Sequence, residues 1–100
     1  MQDGVNVPNR QSPQWRPRAE NDLVAIADYI AIDNPDAAEG LKNLIVKKAN
    51  SLPGNPKAYR PGRVEGTREM VVHPNYLVIY QETPAGITIL RVLHAAQRWP

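Results

Sequence analysis

One hundred residues with 42% apolar and 22% charged side chains suit one folded domain with a modest core, which excludes two independently stable domains and a disordered chain. The absence of cysteine excludes a disulfide framework and any thiolate site, and two histidines offer little to a metal, so neither metal nor cofactor is expected. The net charge of +2 hides an asymmetry: residues 1–50 carry six basic against seven acidic side chains, whereas residues 51–100 carry six basic, five of them arginine, against three acidic. The second half is therefore expected to face an anionic partner.

Residues 1–14, "MQDGVNVPNRQSPQ", have no helical period, and Pro8 and Pro13 obstruct a regular strand. They are expected to form a flexible arm or a short edge strand, with residues 15–100 as the single domain. From Trp15 the pattern sharpens. Pro17 suits a first helical turn, Glu20 and Asp22 suit the positive end of a helix dipole, and Ala19, Leu23, Ile26, Ala27 and Ile30 recur at helical spacing. This predicts a first helix to about Asp33. Asn34-Pro35 supplies a cap and a first-turn proline for a second helix, whose stripe is Ala38, Leu41, Ile45, Ala49 and Leu52, broadened by Leu44. The short link makes the two a helical hairpin.

Residues 52–66, "LPGNPKAYRPGRVEG", hold three prolines and three glycines, so they end helix two and cross over without a further helix. The remainder is β in character: "TREMVVHP", "YLVIYQET" and "ITILRVLHA", separated by Pro74-Asn75 and by Pro84-Ala85-Gly86. Tight connections predict consecutive antiparallel hairpins. The unbroken apolar run Leu77 to Tyr80 predicts a central strand with little polar face. The expected class is α+β, a helical hairpin packed on a small twisted antiparallel sheet.

The residues that carry chemistry are Lys57, Arg60, Arg63 and Arg68 on the crossover and first long strand, and Arg91, His94 and Arg98 on or past the last strand. In one reading the arginines bind phosphates and His94 serves as general acid or base for 2′-hydroxyl attack in RNA cleavage. In the other, the arginines are solvated surface charges and His94 is a hydrogen-bonded structural residue. His73, before Pro74, is expected to be structural, Tyr76 and Tyr80 to share one face, and Trp15 and Trp99 to cover the sheet margins. No apolar run approaches the ~20 residues that span a bilayer, and no basic-then-apolar leader opens the chain, so a cytoplasmic protein without membrane contact is expected.

Taken together, "WRPRAENDLVAIADYIAIDNPDAAEGL", "RPGRVEGTREMVVHPNYLVIY" and "ILRVLHAAQRWP" resemble the RelE/ParE superfamily of bacterial toxins over about residues 15–100. The resemblance implies a toxin of a type II toxin–antitoxin system, neutralised by a cognate antitoxin and serving growth arrest or plasmid maintenance. It implies one of two targets: DNA gyrase, as in ParE-like members, or ribosome-bound messenger RNA, as in RelE-like interferases, which need no metal. As an interferase the chain would use Arg68 and His94 for catalysis, with Arg60 and Arg63 as further phosphate contacts; as a gyrase binder it would dock through the last strand and tail, with Arg91, Arg98 and Trp99. Leu77 stands where RelE-like chains carry arginine, and the RelE lysine pair is missing, which tilts the expectation slightly to gyrase.

Overall fold

The computed structural model describes residues 12–100. In chain order these form β1 (Gln14–Trp15), α1 (Pro17–Ala31), α2 (Pro35–Asn50), one 3-10 turn (Leu52–Gly54), β2 (Arg60–Pro61), β3 (Thr67–His73), β4 (Tyr76–Thr83) and β5 (Gly86–His94). The strands make one five-stranded sheet in the order β1-β5-β4-β3-β2.

The helical hairpin has local causes. Pro17 and Pro35 each sit in a first turn, where a missing N–H costs nothing. Asn34 Oδ1 accepts from the Ala37 N–H at 3.1 Å, capping α2, and Lys47 and Lys48 lie in its last turn, where cations suit the dipole. Helix α1 ends at Ala31 rather than Asp33, because the N–H groups of Asp33 and Asn34 both return to the Ile30 carbonyl and reverse the chain.

The sheet is mixed, which corrects the antiparallel expectation: β1 pairs parallel with β5, Gln14 opposite Thr88 and Trp15 opposite Ile89. A strand followed at once by the helical hairpin comes back into the sheet only through the later strands, so its pairing is set by long-range packing. Of the segment 1–14, expected as an arm or short edge strand, residues 1–11 lie outside the described residues, and Gln14 opens β1. The crossover also departs from expectation, holding a 3-10 turn and the two-residue β2, antiparallel to β3 through Arg60 opposite Glu69. Antiparallel pairing of β3 with β4 and of β4 with β5 matches the predicted hairpins.

The core lies between the helices and the sheet. Ala19, Leu23, Ile45 and Ala49 meet Met70, Val72, Val78, Tyr80, Ile89 and Val92, with Trp15 packed at the margin. Each large aliphatic so buried contributes about 1.5–3 kcal/mol. Alternate residues of β4 and β5 face the other way: Leu77, Ile79 and Leu93 form a second buried cluster, covered by Leu90 and Trp99. This accounts for the unbroken apolar run, since both faces of β4 are buried. Trp99, expected at a sheet margin, packs on the open sheet face against this second cluster.

A register shift between Ile79–Arg91 and Tyr80–Ile89 leaves Leu90 as an extra residue. Such a bulge re-aims its side chains. Leu90 joins the second cluster, while Arg91 reaches Asp22 on α1.

Candidate functional site

The structure divides the sequence-predicted residues into three places. The first is the hairpin of β2 and β3. Arg60 and Arg63 flank Glu69, with Arg60 Nη2 at 3.1 Å from Oε1 and Arg63 Nε at 3.4 Å from Oε2. Arg68, one residue along β3, points the opposite way and donates from Nη1 to the Tyr59 carbonyl at 2.7 Å. Lys57 lies 3.8 Å from Glu82. Beneath them Tyr80 donates its hydroxyl to the Pro56 carbonyl at 2.6 Å and meets Tyr59 edge to face. Burial pushes the Tyr80 phenol above its ordinary value, with Arg68 opposing and Tyr59 and Glu82 adding to the rise.

The second place is the far end of the same strands. Tyr76 stands opposite both His73 on β3 and His94 on β5, and its ring takes His94 edge to face at 5.3 Å. His94 is fixed locally: its ring Nδ1 accepts from the Ala96 N–H at 3.1 Å, and its own N–H donates to Gln97 Oε1 at 2.8 Å. Its Nε2 is therefore the atom left for other chemistry. Arg98 lies exposed just beyond.

The third place is the contact of α1 with β5. Arg91 donates to Asp22 from Nε at 2.7 Å and from Nη2 at 3.0 Å, and Asp22 Oδ2 also accepts the Val92 N–H at 2.9 Å. The hydrogen bond to Asp22 raises the Arg91 pKa, burial opposing it. Arg91 is thus engaged within the fold. Asp22, read from sequence as a dipole partner, instead ties helix to sheet. A signal for this was present, because Asp22 falls on the buried stripe of Ala19, Leu23 and Ile26 at i+3.

Arg68 and His94 are not brought together. Arg68 lies in the cross-strand row with Tyr80 and Ile89, His94 in the row with Tyr76 and His73. The step of four residues along β4 from Tyr76 to Tyr80 corresponds to about 14 Å along the strand. The buried side chains of Met70 and Val78 fill the interval on the helix-facing side. Among the described residues, no three His, Asp or Glu side chains gather as a metal site requires.

Next to the histidine end, Ile30, Ala37, Gly40, Leu41, Leu44, His73, Asn75 and Tyr76 line a largely apolar groove of about 410 Å³ between the helical hairpin and the β3–β4 turn. Among the described residues no helix is long and apolar enough to cross a membrane.

Comparison with known proteins agrees with this architecture. The family model described as "ParE toxin of type II toxin-antitoxin system, parDE" matches residues 14–99. The putative toxin Y4kP of Sinorhizobium fredii is 36% identical over 92 residues, covering 92% of this chain and 96% of its own. Toxin RelE2 of Caulobacter vibrioides is 36% identical over 83 residues, 83% of this chain and 93% of its own. Among solved structures, the chromosomal ParDE system from P. aeruginosa superposes with a TM-score of 0.75 at 28% identity, over 85% of this chain and 96% of that one. The E. coli DinJ–YafQ toxin–antitoxin complex reaches a TM-score of 0.50 at 21% identity, over 88% of this chain and 96% of that one, a likeness of fold alone. With a family match over nearly the whole described chain and two toxins as relatives, the protein belongs to the ParE toxin family of type II toxin–antitoxin systems, within the RelE/ParE superfamily.

Proposed function

We propose that this protein arrests growth by docking on DNA gyrase in the cytoplasm, and that a cognate antitoxin holds it inactive until released, as suits growth control or plasmid maintenance. The observation that carries the reading is the separation of Arg68 from His94. Metal-independent RNA cleavage needs a proton-transferring group within hydrogen-bond reach of the reacting oxygen and a cation on the same phosphodiester. With their rows about 14 Å apart along the strands, the two residues do not converge on one phosphodiester. The ParE family match supports the same side.

Docking needs an exposed, preformed surface instead. The open sheet face offers one: Val71 is 45% exposed, and Leu90 and Trp99, half-buried, continue the apolar surface past Ile79 towards the arginines beside Glu69. Aromatic and arginine side chains of this kind dominate the energetics of protein interfaces. The antitoxin has a separate place to bind, the apolar groove under α1 and α2. The DinJ–YafQ and ParDE neighbours are themselves toxin–antitoxin systems.

The test is induction of the chain without antitoxin, followed by incorporation of labelled thymidine and labelled amino acid, together with gyrase supercoiling by the purified protein. DNA synthesis is expected to halt first, supercoiling to be inhibited, and His94→Ala to arrest growth as well as the parent does. An early collapse of translation, with a reporter mRNA cut on ribosomes and both Arg68→Ala and His94→Ala inert, would establish the interferase reading in its place.

A further inference from the structure

The open sheet face contains a carboxylate that the fold does not require. Glu69 points away from the helices beside Ile79, and its side chain is only 4% exposed. Oε1 accepts from Arg60 Nε at 3.2 Å; Oε2 faces Arg63 Nε at 3.4 Å and has no hydrogen-bond partner. Removing a carboxylate from water is costly, and an apolar residue in such a place is often the more stable choice. The β2–β3 hairpin is closed without it. The Gly62 N–H donates to the Thr67 carbonyl at 2.7 Å, the Thr67 N–H to the Val64 carbonyl at 3.1 Å, and the Thr67 hydroxyl to the same carbonyl.

What Glu69 does accomplish is to hold two guanidinium groups side by side. Their side chains remain 59% and 45% exposed, so the groups face solvent with one charge in excess over the carboxylate between them. We propose that Glu69 positions Arg60 and Arg63 as a fork that receives one carboxylate side chain of the protein target, an inference that rests on the docking reading above. A second carboxylate completes an alternating set of two cations and two anions. Guanidinium groups already fixed lose little freedom when it arrives.

A carboxylate fits this surface better than a nucleic-acid backbone. The excess charge here is a single unit, Glu65 lies nearby on the hairpin tip, and the neighbouring surface is Val71, Leu90 and Trp99. Nucleic-acid interfaces are more polar and much more positively charged. Arginine and tryptophan on one face of a sheet match the composition of protein hot spots.

The experiment uses the full chain with Arg60→Gln, Arg63→Gln and Glu69→Gln combined, which neutralises the fork without leaving a lone buried charge, and Glu69→Gln alone. A thermal melt confirms folding. Supercoiling by purified gyrase, antitoxin co-purification and binding of a labelled single-stranded RNA are then measured. The triple variant is expected to need about tenfold more protein for half-inhibition, the loss of one charge-assisted contact. Glu69→Gln, which keeps both arginines but frees them, is expected to lose potency about threefold, whereas a purely structural Glu69 would shift only the melt. Antitoxin binding is expected to stay at the parent level. A folded triple variant of parental potency overturns the fork and leaves docking intact. Loss of antitoxin or RNA binding with gyrase inhibition intact overturns it too, reassigning the arginines. A parent chain that does not inhibit gyrase overturns both readings.

Discussion

Replacing Asp22 by alanine tests whether the helical hairpin is fastened to the sheet by one carboxylate. Asp22 accepts three hydrogen bonds, two from the Arg91 guanidinium and one from the Val92 N–H, and the two side chains are only 16% and 17% exposed. In Asp22→Ala the Val92 donor is left without its partner and a half-buried guanidinium without its counter-ion. A hydrogen bond to a charged group contributes about 1.5–3 kcal/mol, and breaking a fully buried pair costs about 3–5 kcal/mol; with this degree of exposure the loss should be about 2–4 kcal/mol. A domain of this size has about 5–15 kcal/mol in total, and each kcal/mol moves its melting temperature by about 4–8 °C, so Tm should fall by roughly 10–25 °C. Calorimetry or a urea titration at neutral pH measures this. Asp22→Asn, which keeps an acceptor for Val92, should lose about half as much. Because the Asp22 hydrogen bond raises the Arg91 pKa above the ordinary arginine value, the arginine's share is complete below that value and is lost only as pH rises through the raised one. The penalty should therefore not shrink between about pH 7 and pH 9. A variant melting within about 3 °C of the parent, less than 1 kcal/mol, would refute the clasp. So would a double-mutant cycle with Arg91→Met showing no coupling.

Tyr80→Phe should cost about 1 kcal/mol near neutral pH through the lost bond to the Pro56 carbonyl. The raised Tyr80 pKa makes the parent's advantage complete below the ordinary tyrosine value of about 10 and lost as pH rises through the higher folded value, so urea titrations should show the gap closing on the alkaline side. Two glycines should respond in opposite directions in the same assay. A Cβ at Gly62 would collide with the Thr67 hydroxyl, so Gly62→Ala should destabilise by about 1–3 kcal/mol, whereas a Cβ at Gly40, within α2, meets nothing, so Gly40→Ala should stabilise by about 0.5–1 kcal/mol.

The helical hairpin was legible because its signals are local: Asn34 and Pro35 announce a helix start whatever surrounds them, and the stripe of Ala38, Ile45 and Ala49 fixes the buried face. The strands were legible from composition, and the Leu77 to Tyr80 run foretold burial on both sides of β4. The parallel seat of β1 was not legible, because its partner lies more than seventy residues further along the chain. Nor was the arrangement of the site. Arg68 and His94 belong to different cross-strand rows, a fact of register that depends on bulges at Leu90 and near Val72. Glu69 gave little warning of its burial, since a charged residue in a strand reads as solvent-facing until its partners are known.

The bond from Val92 to Asp22, with that from His94 to Gln97, has a consequence for self-association. Beyond its short pairing with β1, strand β5 presents these two N–H groups outward, and side chains of the same chain occupy both. An exposed row of free donors is a template on which another chain can build a strand. Here two of its donors are already taken. A copy made in excess of its antitoxin thus meets occupied groups at these two positions, which disfavours stacking strand on strand with its neighbours.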